Sequence, residues 1–263
     1  MPVGSKTTMA HPFPRLQTDG FWHRVTKPGY DPDKDYNVTS ISKLNEIYAG
    51  ASGAAGGEII LPCLLFSNFD FMSDYYQQNY KKYHDKTFPV DPTSFLTPFA
   101  EKLKPGATIL DIGCGSGRDL LWFKNRGFKV IGFERSHGLA SLAMENVGCQ
   151  VIEGDFETYD FSRLSVDAIM LVGALVHLPH IKVPEVLNSI TEALKGNGKI
   201  LLTLKKGTGR SSDPHGRVFN LWQDDALRKL FNRFELVAID FFQQSSEIGT
   251  DEVWLGYVLE KAG

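Results

Sequence analysis

The segment ATILDIGCGSGRDL, residues 107–120, constrains the fold of this chain more than any other part of its sequence. An apolar run leads into a turn in which Gly113, Gly115 and Gly117 alternate with other residues, and a helical pattern follows. Because glycine has no β-carbon, such a turn adopts strained backbone conformations and lets a ligand approach the main chain. The following helix directs its N-terminal N–H groups and positive dipole end towards the turn, which suits a carboxylate or a phosphate. The segment therefore predicts a strand, a ligand-binding glycine loop and a helix.

Beyond Pro105 the sequence alternates short apolar runs with helical periodicity. The runs predicted as strands are Thr108–Ile112, Lys129–Phe133, Gln150–Glu153, Asp167–Val172, Lys199–Leu204, Phe234–Phe242 and Val253–Leu259. The segments predicted as helices are Asp119–Asn125, Leu139–Val147, Pro184–Leu194 and Asp224–Phe231. This alternation predicts an α/β fold in which a mostly parallel sheet is covered by helices on both faces. The last two strands have no helix between them, so we expect them to form an antiparallel hairpin.

Residues 1–75 differ in character, since they are rich in glycine, proline and aromatic residues and show little periodicity. A short helix is predicted at Asn37–Ala49, followed by a flexible connector at Gly50–Gly57. A second helix is predicted at Ser73–His84, with Ser73 as its N-cap. We expect an N-terminal extension, residues 1–75, that acts as a lid, a recognition segment or an oligomerisation segment. The domain proper is expected at residues 76–263.

The composition indicates a soluble globular protein with a small-molecule partner. With 42% hydrophobic residues, 22% charged residues and a net charge of −3, the chain lacks the basic balance typical of nucleic-acid-binding proteins. Its three cysteines have neither metal-ligand nor redox spacing, which favours a cytoplasmic location. The longest apolar run, Ile59–Phe66, is too short to span a bilayer. We therefore expect a cytoplasmic monomer or homodimer without a bound metal or a membrane contact.

A glycine-rich turn alone does not distinguish one cofactor from another. A dinucleotide loop has the pattern G-x-G-x-x-G, and here Arg118 holds the position of the third glycine. Asp111 ends the preceding strand, where its carboxylate would repel the pyrophosphate of NAD. The same carboxylate accepts hydrogen bonds, directly or through water, from an ammonium group such as that of S-adenosylmethionine (SAM). The loop and Asp111 together favour SAM.

Two further acidic residues follow at the next two strand ends. Glu134 ends the second strand, where a carboxylate can bind both hydroxyls of a ribose. Asp155 follows the third strand, where it can accept a hydrogen bond from an adenine amino group, with Phe156 near the ring. An acid at each of three successive strand ends is a more specific pattern than the loop. It strengthens the case for SAM over a dinucleotide.

From about Tyr80 to the C-terminus the chain resembles the class I SAM-dependent methyltransferases, especially a compact bacterial subgroup. The matching segments are YHDKTFPVD, ILDIGCGSGRD, GFERS, EGDFE, GALVHLPH, ALKGNGKILLTLKKG and HGRVFNLW. The resemblance implies a Rossmann-like sheet of seven strands with the last strand of the chain inserted antiparallel. It also implies that SAM is bound by Asp111, Gly113, Gly115, Glu134, Asp155 and Phe156. One departure is Glu134, since aspartate is the commoner acid at that position.

The full predicted cofactor site is larger than the set that the resemblance supplies. It also includes Cys114, Arg118, Asp119, Arg135, Ser136 and Val172, which lie in or beside the same loops or end the fourth strand. All of these residues fall at the carboxyl ends of predicted strands, where open α/β sheets bind their ligands.

The acceptor is expected beside residues 172–180, at the end of the fourth strand. Methyl transfer is an in-line displacement at an activated sulfonium, so a base is needed only when the nucleophile arrives protonated. His177 is the candidate base, and the alternative is a histidine that shapes the structure or the substrate site. His177 and His180 lie three residues apart, but no carboxylate or cysteine completes a metal site there.

Two other groups are candidates for contact with the acceptor. Basic residues that follow the fifth strand either bind an anionic acceptor or form a solvated rim. An aromatic segment beginning at Tyr80 either forms a lid over the site or packs as an ordinary helix. From these two groups the predicted substrate-binding residues are Tyr83, Thr87, Lys205 and Arg217.

The sequence thus predicts a methyltransferase that acts on a nitrogen, oxygen or sulfur atom of a small molecule. The fourth strand ends in VGAL rather than an N/D-P-P-Y tetrapeptide, which disfavours methylation of DNA bases. An RNA or protein methyltransferase with residues 1–75 as its recognition module is one alternative, and a SAM-binding protein without activity is another. An NAD(P)-dependent oxidoreductase is a third, against which Arg118 and Asp155 argue.

Overall fold

The computed structural model describes residues 15–18, 21–24, 75–246 and 251–261. The chain divides into two compact units, Met1–Leu61 and Pro62–Gly263. In the first unit the described residues form an antiparallel hairpin of β1 (Arg15–Thr18) and β2 (Phe21–Arg24). The predicted helix at 37–49, the connector at 50–57 and the cap at Ser73 lie outside the described residues. The predicted division at residue 75 stays a prediction.

The second unit is built on a seven-stranded sheet and a small separate hairpin. Its strands are β3 (Thr108–Ile112), β4 (Lys129–Glu134), β5 (Gln150–Glu153), β6 (Val166–Val172), β7 (Leu194–Lys205), β8 (Arg210–Ser212), β9 (Val218–Asn220), β10 (Leu236–Ser245) and β11 (Val253–Lys261). The order in the large sheet is β10-β11-β7-β6-β3-β4-β5, while β8 and β9 pair with each other. Only β11 runs antiparallel to its neighbours, β7 and β10. The fold is therefore the Rossmann-like sheet that the sequence predicts, with its last strand inserted antiparallel.

Helices cover both faces of this sheet. Within the described residues the α-helices with assigned bounds are α1 (Tyr80–Thr87), α2 (Thr93–Ala100), α3 (Arg118–Lys124), α4 (His137–Val147), α5 (Val183–Thr191) and α6 (Asp224–Arg233), and residues 75–78 form a helical turn before α1. Successive side chains of β6 alternate between two hydrophobic clusters, as a strand's period of two requires. Ile169 joins the cluster of α5 and α6, whereas Met170 joins the cluster of α2 and α3. Both faces of the central strands are consequently buried.

The predicted strands all occur, and the largest differences from their predicted bounds are the start of β7, at Leu194 instead of Lys199, and the end of β10, at Ser245 instead of Phe242. The predicted helix Pro184–Leu194 is wrong at its C-terminus, because α5 ends at Thr191 and Leu194 already pairs with Val166 as the first residue of β7. Helix α2 and the β8–β9 hairpin are elements that the sequence analysis did not predict. None of the helices in the described part of the chain is both long and apolar enough to cross a membrane.

Candidate functional site

The glycine loop between β3 and α3 requires its glycines for steric reasons. Gly113, Gly115 and Gly117 have φ values of 73°, 55° and 90°, in the left-handed region that other residues rarely adopt. A β-carbon at Gly113 would lie 3.0 Å from Cβ of Ala174, and one at Gly117 would lie 2.6 Å from Cγ2 of Val147. The main chain of the loop therefore comes close to two neighbouring segments, which leaves no room for side chains at these positions.

Glu134, the last residue of β4, connects the glycine loop to the start of α4. Its carboxylate accepts hydrogen bonds from the backbone N–H of Gly115 at 3.0 Å and of Ser136 at 2.9 Å. Burial raises the pKa of Glu134, although these backbone donors favour its ionised form. A carboxylate has about four lone-pair positions, so this one can still accept two hydroxyl groups of a ligand.

Asp111 is a second buried acid, 2% exposed, near the end of β3. Burial raises its pKa well above the usual range, and the neighbouring Asp119 raises it further, while Arg118 lowers it. Arg118 forms an ion pair with Asp119, with Nε 2.6 Å from Oδ1. Because burial disfavours the ionised form of Asp111, a cation placed beside it would stabilise the carboxylate.

A cleft opens at the carboxyl ends of β3, β4 and β6, with about 780 Å³ of space that is partly open to solvent. Its lining residues are Tyr76, Tyr83, Gly113, Gly115, Phe133, Glu134, Arg135, Ser136, Leu139, Gly154, Phe156, Val172, Gly173, Ala174 and His177. Nine of these are predicted site residues: Tyr83, Gly113, Gly115, Glu134, Arg135, Ser136, Phe156, Val172 and His177. The structure thus brings more than half of the predicted set to one cleft.

Other predicted residues lie beside or behind this cleft. The side chain of Cys114 packs into a hydrophobic cluster with residues of α3 and α4. Asp155 lies next to the lining residue Phe156, and its Oδ2 is 3.3 Å from Nη1 of Arg135. The hydroxyl of Thr87 donates to the backbone carbonyl of Tyr83 at 2.8 Å. The predicted residues outside the lining set are Thr87, Asp111, Cys114, Arg118, Asp119, Asp155, Lys205 and Arg217.

Lys205 and Arg217 do not line the cleft, and both lie near the ring of one aromatic residue, Phe219. Lys205 Nζ is 3.3 Å from the ring centroid of Phe219, and the guanidinium carbon of Arg217 is 5.4 Å from it. Lys205 is ion-paired with Glu252, and Arg217 with Asp213. Both cations are therefore neutralised by carboxylates, and neither forms the freely solvated rim that the sequence left open.

Strand β9 fixes the position of His177. The side-chain amide of Asn220 donates to the backbone carbonyl of His177 at 3.0 Å. The backbone N–H of Asn220 donates to the carbonyl of Val176 at 2.7 Å. Nδ1 of His177 lies 2.6 Å from the carbonyl oxygen of Val218. Because a carbonyl only accepts, Nδ1 carries the proton and donates. In the neutral ring, Nε2 is then a hydrogen-bond acceptor.

Tyr76, in the helical turn before α1, completes this arrangement. Its hydroxyl is 3.0 Å from Nε2 of His177 and receives a hydrogen bond from Nη1 of Arg217 at 3.3 Å. Burial raises the pKa of Tyr76, so the phenol stays protonated. The sequence analysis did not identify Tyr76, because nothing in the local pattern connects it with a histidine 101 residues away.

The segment around Tyr76 covers the cleft through several contacts. Oε1 of Gln77 accepts from the hydroxyl of Ser136 at 3.0 Å and from the backbone of Gly138 at 3.3 Å. A β-carbon at Gly138 would lie 2.5 Å from the ring of Tyr80. The ring of Tyr83 is 3.7 Å from the position of a β-carbon at Gly115. Residues 75–87 therefore contact the glycine loop and the start of α4, and the lid stays a prediction.

The pKa of His177 should make the stability of the protein depend on pH. Burial lowers this pKa from 6.5 to about 4, and the charges of Arg217 and Lys205 add to the shift. Between pH 4 and 6.5 the unfolded state binds more protons at this residue than the folded state does, so stability rises with pH. We expect the free energy of unfolding to be roughly 1.5 kcal/mol higher at pH 6.5 than at pH 5 through this group. Urea unfolding of the wild type and of His177→Gln at both pH values measures the difference, and equal pH dependence of the two proteins would contradict it.

The comparisons with known proteins agree with this geometry. Residues 109–198 match a family described as a methyltransferase domain. Phosphoethanolamine N-methyltransferase 1 of Zea mays is 30% identical over 125 residues, 44% of this chain and 24% of that protein. A probable fatty acid methyltransferase of Mycobacterium tuberculosis is 24% identical over 209 residues, 76% of this chain and 43% of that protein. The chain thus spans less than half the length of these curated relatives.

Solved structures of low sequence identity share the fold. The 1,6-didemethyltoxoflavin-N1-methyltransferase of Burkholderia thailandensis, solved with bound S-adenosylhomocysteine (SAH), superposes with a TM-score of 0.60 at 17% identity, over 80% of this chain and 94% of that chain. The magnesium protoporphyrin IX methyltransferase of Synechocystis, also with bound SAH, gives 0.59 at 12% identity, over 74% of this chain and 100% of that chain.

The strand order, the antiparallel last strand and the glycine loop define a class I methyltransferase fold. Residues 109–198 match a methyltransferase domain, and the sheet has the fold of solved SAM-dependent methyltransferases, so the chain is similar to the class I SAM-dependent methyltransferases in this segment and in its fold.

Proposed function

We propose that this protein transfers the methyl group of SAM to a nitrogen, oxygen or sulfur atom of a small molecule. One observation carries the proposal: the glycine loop, the buried carboxylate of Glu134 and the wall formed by Tyr76 and His177 all face one cleft. A cofactor held by the loop and Glu134 would therefore have its reactive part directed towards Tyr76 and His177.

The lining residues fit the parts of SAM. Glu134 has lone pairs left for the two ribose hydroxyls, and Phe156 offers a ring face for the adenine. Gly113 and Gly115 provide bare main chain for the methionine part, close to the buried carboxylate of Asp111, whose raised pKa favours an ammonium partner. Asp155, next to Phe156, is an acceptor for the adenine amino group. These contacts match the polar methionine part, the ribose hydroxyls and the aromatic adenine of SAM.

The chemistry follows from alignment in a closed site. SAM supplies a methyl group on a sulfonium, so that attack of a lone pair forms the new bond while the carbon–sulfur pair remains on sulfur as a neutral thioether. The residues of the chain align the reactants and exclude water. Tyr76 and Tyr83, both within residues 75–87, line the cleft. His177 stays neutral at neutral pH, because burial lowers its pKa to about 4. With Nε2 bonded to Tyr76, His177 is better suited to positioning than to removing a proton.

A small-molecule acceptor fits this site better than a nucleic acid. The net charge is −3, and the two cations beside Phe219, Lys205 and Arg217, are paired with Glu252 and Asp213. Phosphate binding normally depends on cations with no carboxylate partner. The same site also fits a SAM-binding protein without activity, which would bind SAH and methylate nothing.

The test is a methyl-transfer assay with isotopically labelled SAM and a panel of amines, phenols, carboxylic acids, thiols and alcohols. We expect SAH to form together with a labelled product for at least one class, as detected by mass spectrometry. The control is Gly113→Ala, in which the added methyl group would lie 3.0 Å from Cβ of Ala174 and obstruct the loop, so that both SAH binding and product formation should fall. Tight SAH binding with no labelled product from any class would contradict transferase activity and favour the inactive alternative.

A further inference from the structure

The hydroxyl of Tyr76 has a fixed hydrogen-bond direction. Nδ1 of His177 must donate to the carbonyl of Val218, 2.6 Å away, so Nε2 must accept in the neutral ring. Tyr76 lies 3.0 Å from Nε2 and therefore gives its only proton to His177. Arg217 donates to the same phenolic oxygen at 3.3 Å. One lone pair of that oxygen remains, and a lone pair can only accept.

Tyr76 and His177 both line the cleft, and His177 lies in the segment after β6, beside which the acceptor is expected. We infer that the Tyr76 oxygen accepts a hydrogen bond from the atom that is methylated, and that the acceptor is an amine. This inference rests on the proposed function and narrows its acceptor from nitrogen, oxygen or sulfur to nitrogen. Tyr76 is the residue that contacts the acceptor, and His177 positions it.

The same contacts disfavour the other nucleophiles. An alcohol must lose its proton to a base, but Nε2 of His177 is bonded to Tyr76 and the carboxylate of Glu134 to two backbone N–H groups. A thiolate or a carboxylate has no hydrogen to donate to the Tyr76 oxygen. A neutral amine has both a lone pair for the methyl carbon and an N–H for Tyr76. Its lone pair forms the nitrogen–carbon bond, the carbon–sulfur pair stays on sulfur, and the extra proton leaves later from the product ammonium to water.

The charges around Tyr76 are compatible with an amine. Arg217 is held by Asp213, with Nε 2.7 Å from Oδ2, and this ion pair neutralises the cation nearest the phenol. Lys205 is neutralised by Glu252 in the same way. In the part of the chain that the structure describes, both of these cations are paired with carboxylates, and neither would exclude an amine or its protonated product.

The test does not require the acceptor to be known. Sinefungin is an analogue of SAM with an amine-bearing carbon in place of the methylated sulfur, so its amine lies where the methyl group meets the nucleophile. SAH lacks that group. We expect the wild type to bind sinefungin about tenfold more tightly than SAH, because one hydrogen bond to the Tyr76 oxygen is gained. Tyr76→Phe should lose most of this preference while its affinity for SAH changes little, as measured by isothermal titration calorimetry.

The matched control is Tyr75→Phe, which removes the same hydroxyl from the adjacent tyrosine, a residue outside the lining of the cleft. It should retain the wild-type preference. His177→Phe should lose the preference although Tyr76 is intact, because the phenolic proton then has no acceptor and is free to point into the cleft. An unchanged preference in Tyr76→Phe, or an equal loss in Tyr75→Phe, would overturn the inference. Failure of the wild type to bind SAH at all would overturn the proposed function instead.

Discussion

Replacing Gly113 by alanine is expected to weaken SAH binding about 100-fold while the protein remains folded. The residue has a φ of 73°, and a β-carbon there would lie 3.0 Å from Cβ of Ala174, at the wall of the cleft. The left-handed conformation costs a non-glycine residue about 1–2 kcal/mol. The loop has to shift to relieve the backbone strain and the close contact with Ala174. This shift moves the backbone that we propose to bind the methionine part of SAM.

The chain contains a matched control for this substitution. Gly106 has the same φ of 73°, but nothing lies within 4 Å of the position of its β-carbon. Gly106→Ala therefore reproduces the backbone strain without the obstruction, and it should lower the free energy of unfolding by about 1–2 kcal/mol and leave SAH affinity unchanged. Calorimetric titration and thermal unfolding of the two variants separate these effects. Equal SAH affinities in the two variants would show that the loop does not support the cofactor.

Glu134→Gln is expected to weaken SAH binding about 100-fold and to lower the free energy of unfolding by about 2 kcal/mol. Both oxygens of Glu134 accept backbone hydrogen bonds, from Gly115 and from Ser136. Glutamine has only one acceptor oxygen, so its NH₂ group would face a backbone N–H in a buried position. The substitution also removes the negative charge that is proposed to bind the ribose hydroxyls.

Glu153→Gln provides the comparison, since Glu153 ends β5 as Glu134 ends β4. Its side chain is 43% exposed, and within the described residues its hydrogen bonds are to the exposed His137. We expect wild-type stability and SAH affinity for this variant, measured by urea unfolding and calorimetry. If Glu134→Gln behaved in the same way, the proposed role of Glu134 in cofactor binding and loop support would be wrong.

The sheet and the loop could be predicted because their signals are local. Apolar runs that end in glycine or an acid mark the strands, and β3 and β5 have the predicted bounds, Thr108–Ile112 and Gln150–Glu153. The position of Glu134 beside the loop follows from parallel pairing of β3 with β4, which places two strand ends side by side. The antiparallel insertion of β11, by contrast, came from the family resemblance and is confirmed by its pairing with β7 and β10.

His177 and Arg217 were predicted as site residues, but their link through Tyr76 could not be predicted because it depends on contacts between distant parts of the chain. Tyr76, His177 and Arg217 come from three separate segments, and β9 holds His177 through backbone groups that carry no sequence signal. The β8–β9 hairpin itself consists of two three-residue strands, too short to show periodicity. Burial of His177 is likewise a tertiary effect, so its pKa of about 4 was not accessible from the sequence.

The central claim is that the cleft at the glycine loop holds the methyl donor. Isothermal titration of the wild-type protein with SAH, followed by competition with SAM and with NADH, tests it most directly. We predict one SAH site per chain, displacement of SAH by SAM and no displacement by NADH. Absence of SAH binding to the folded protein, or displacement of SAH by NADH, would contradict the claim.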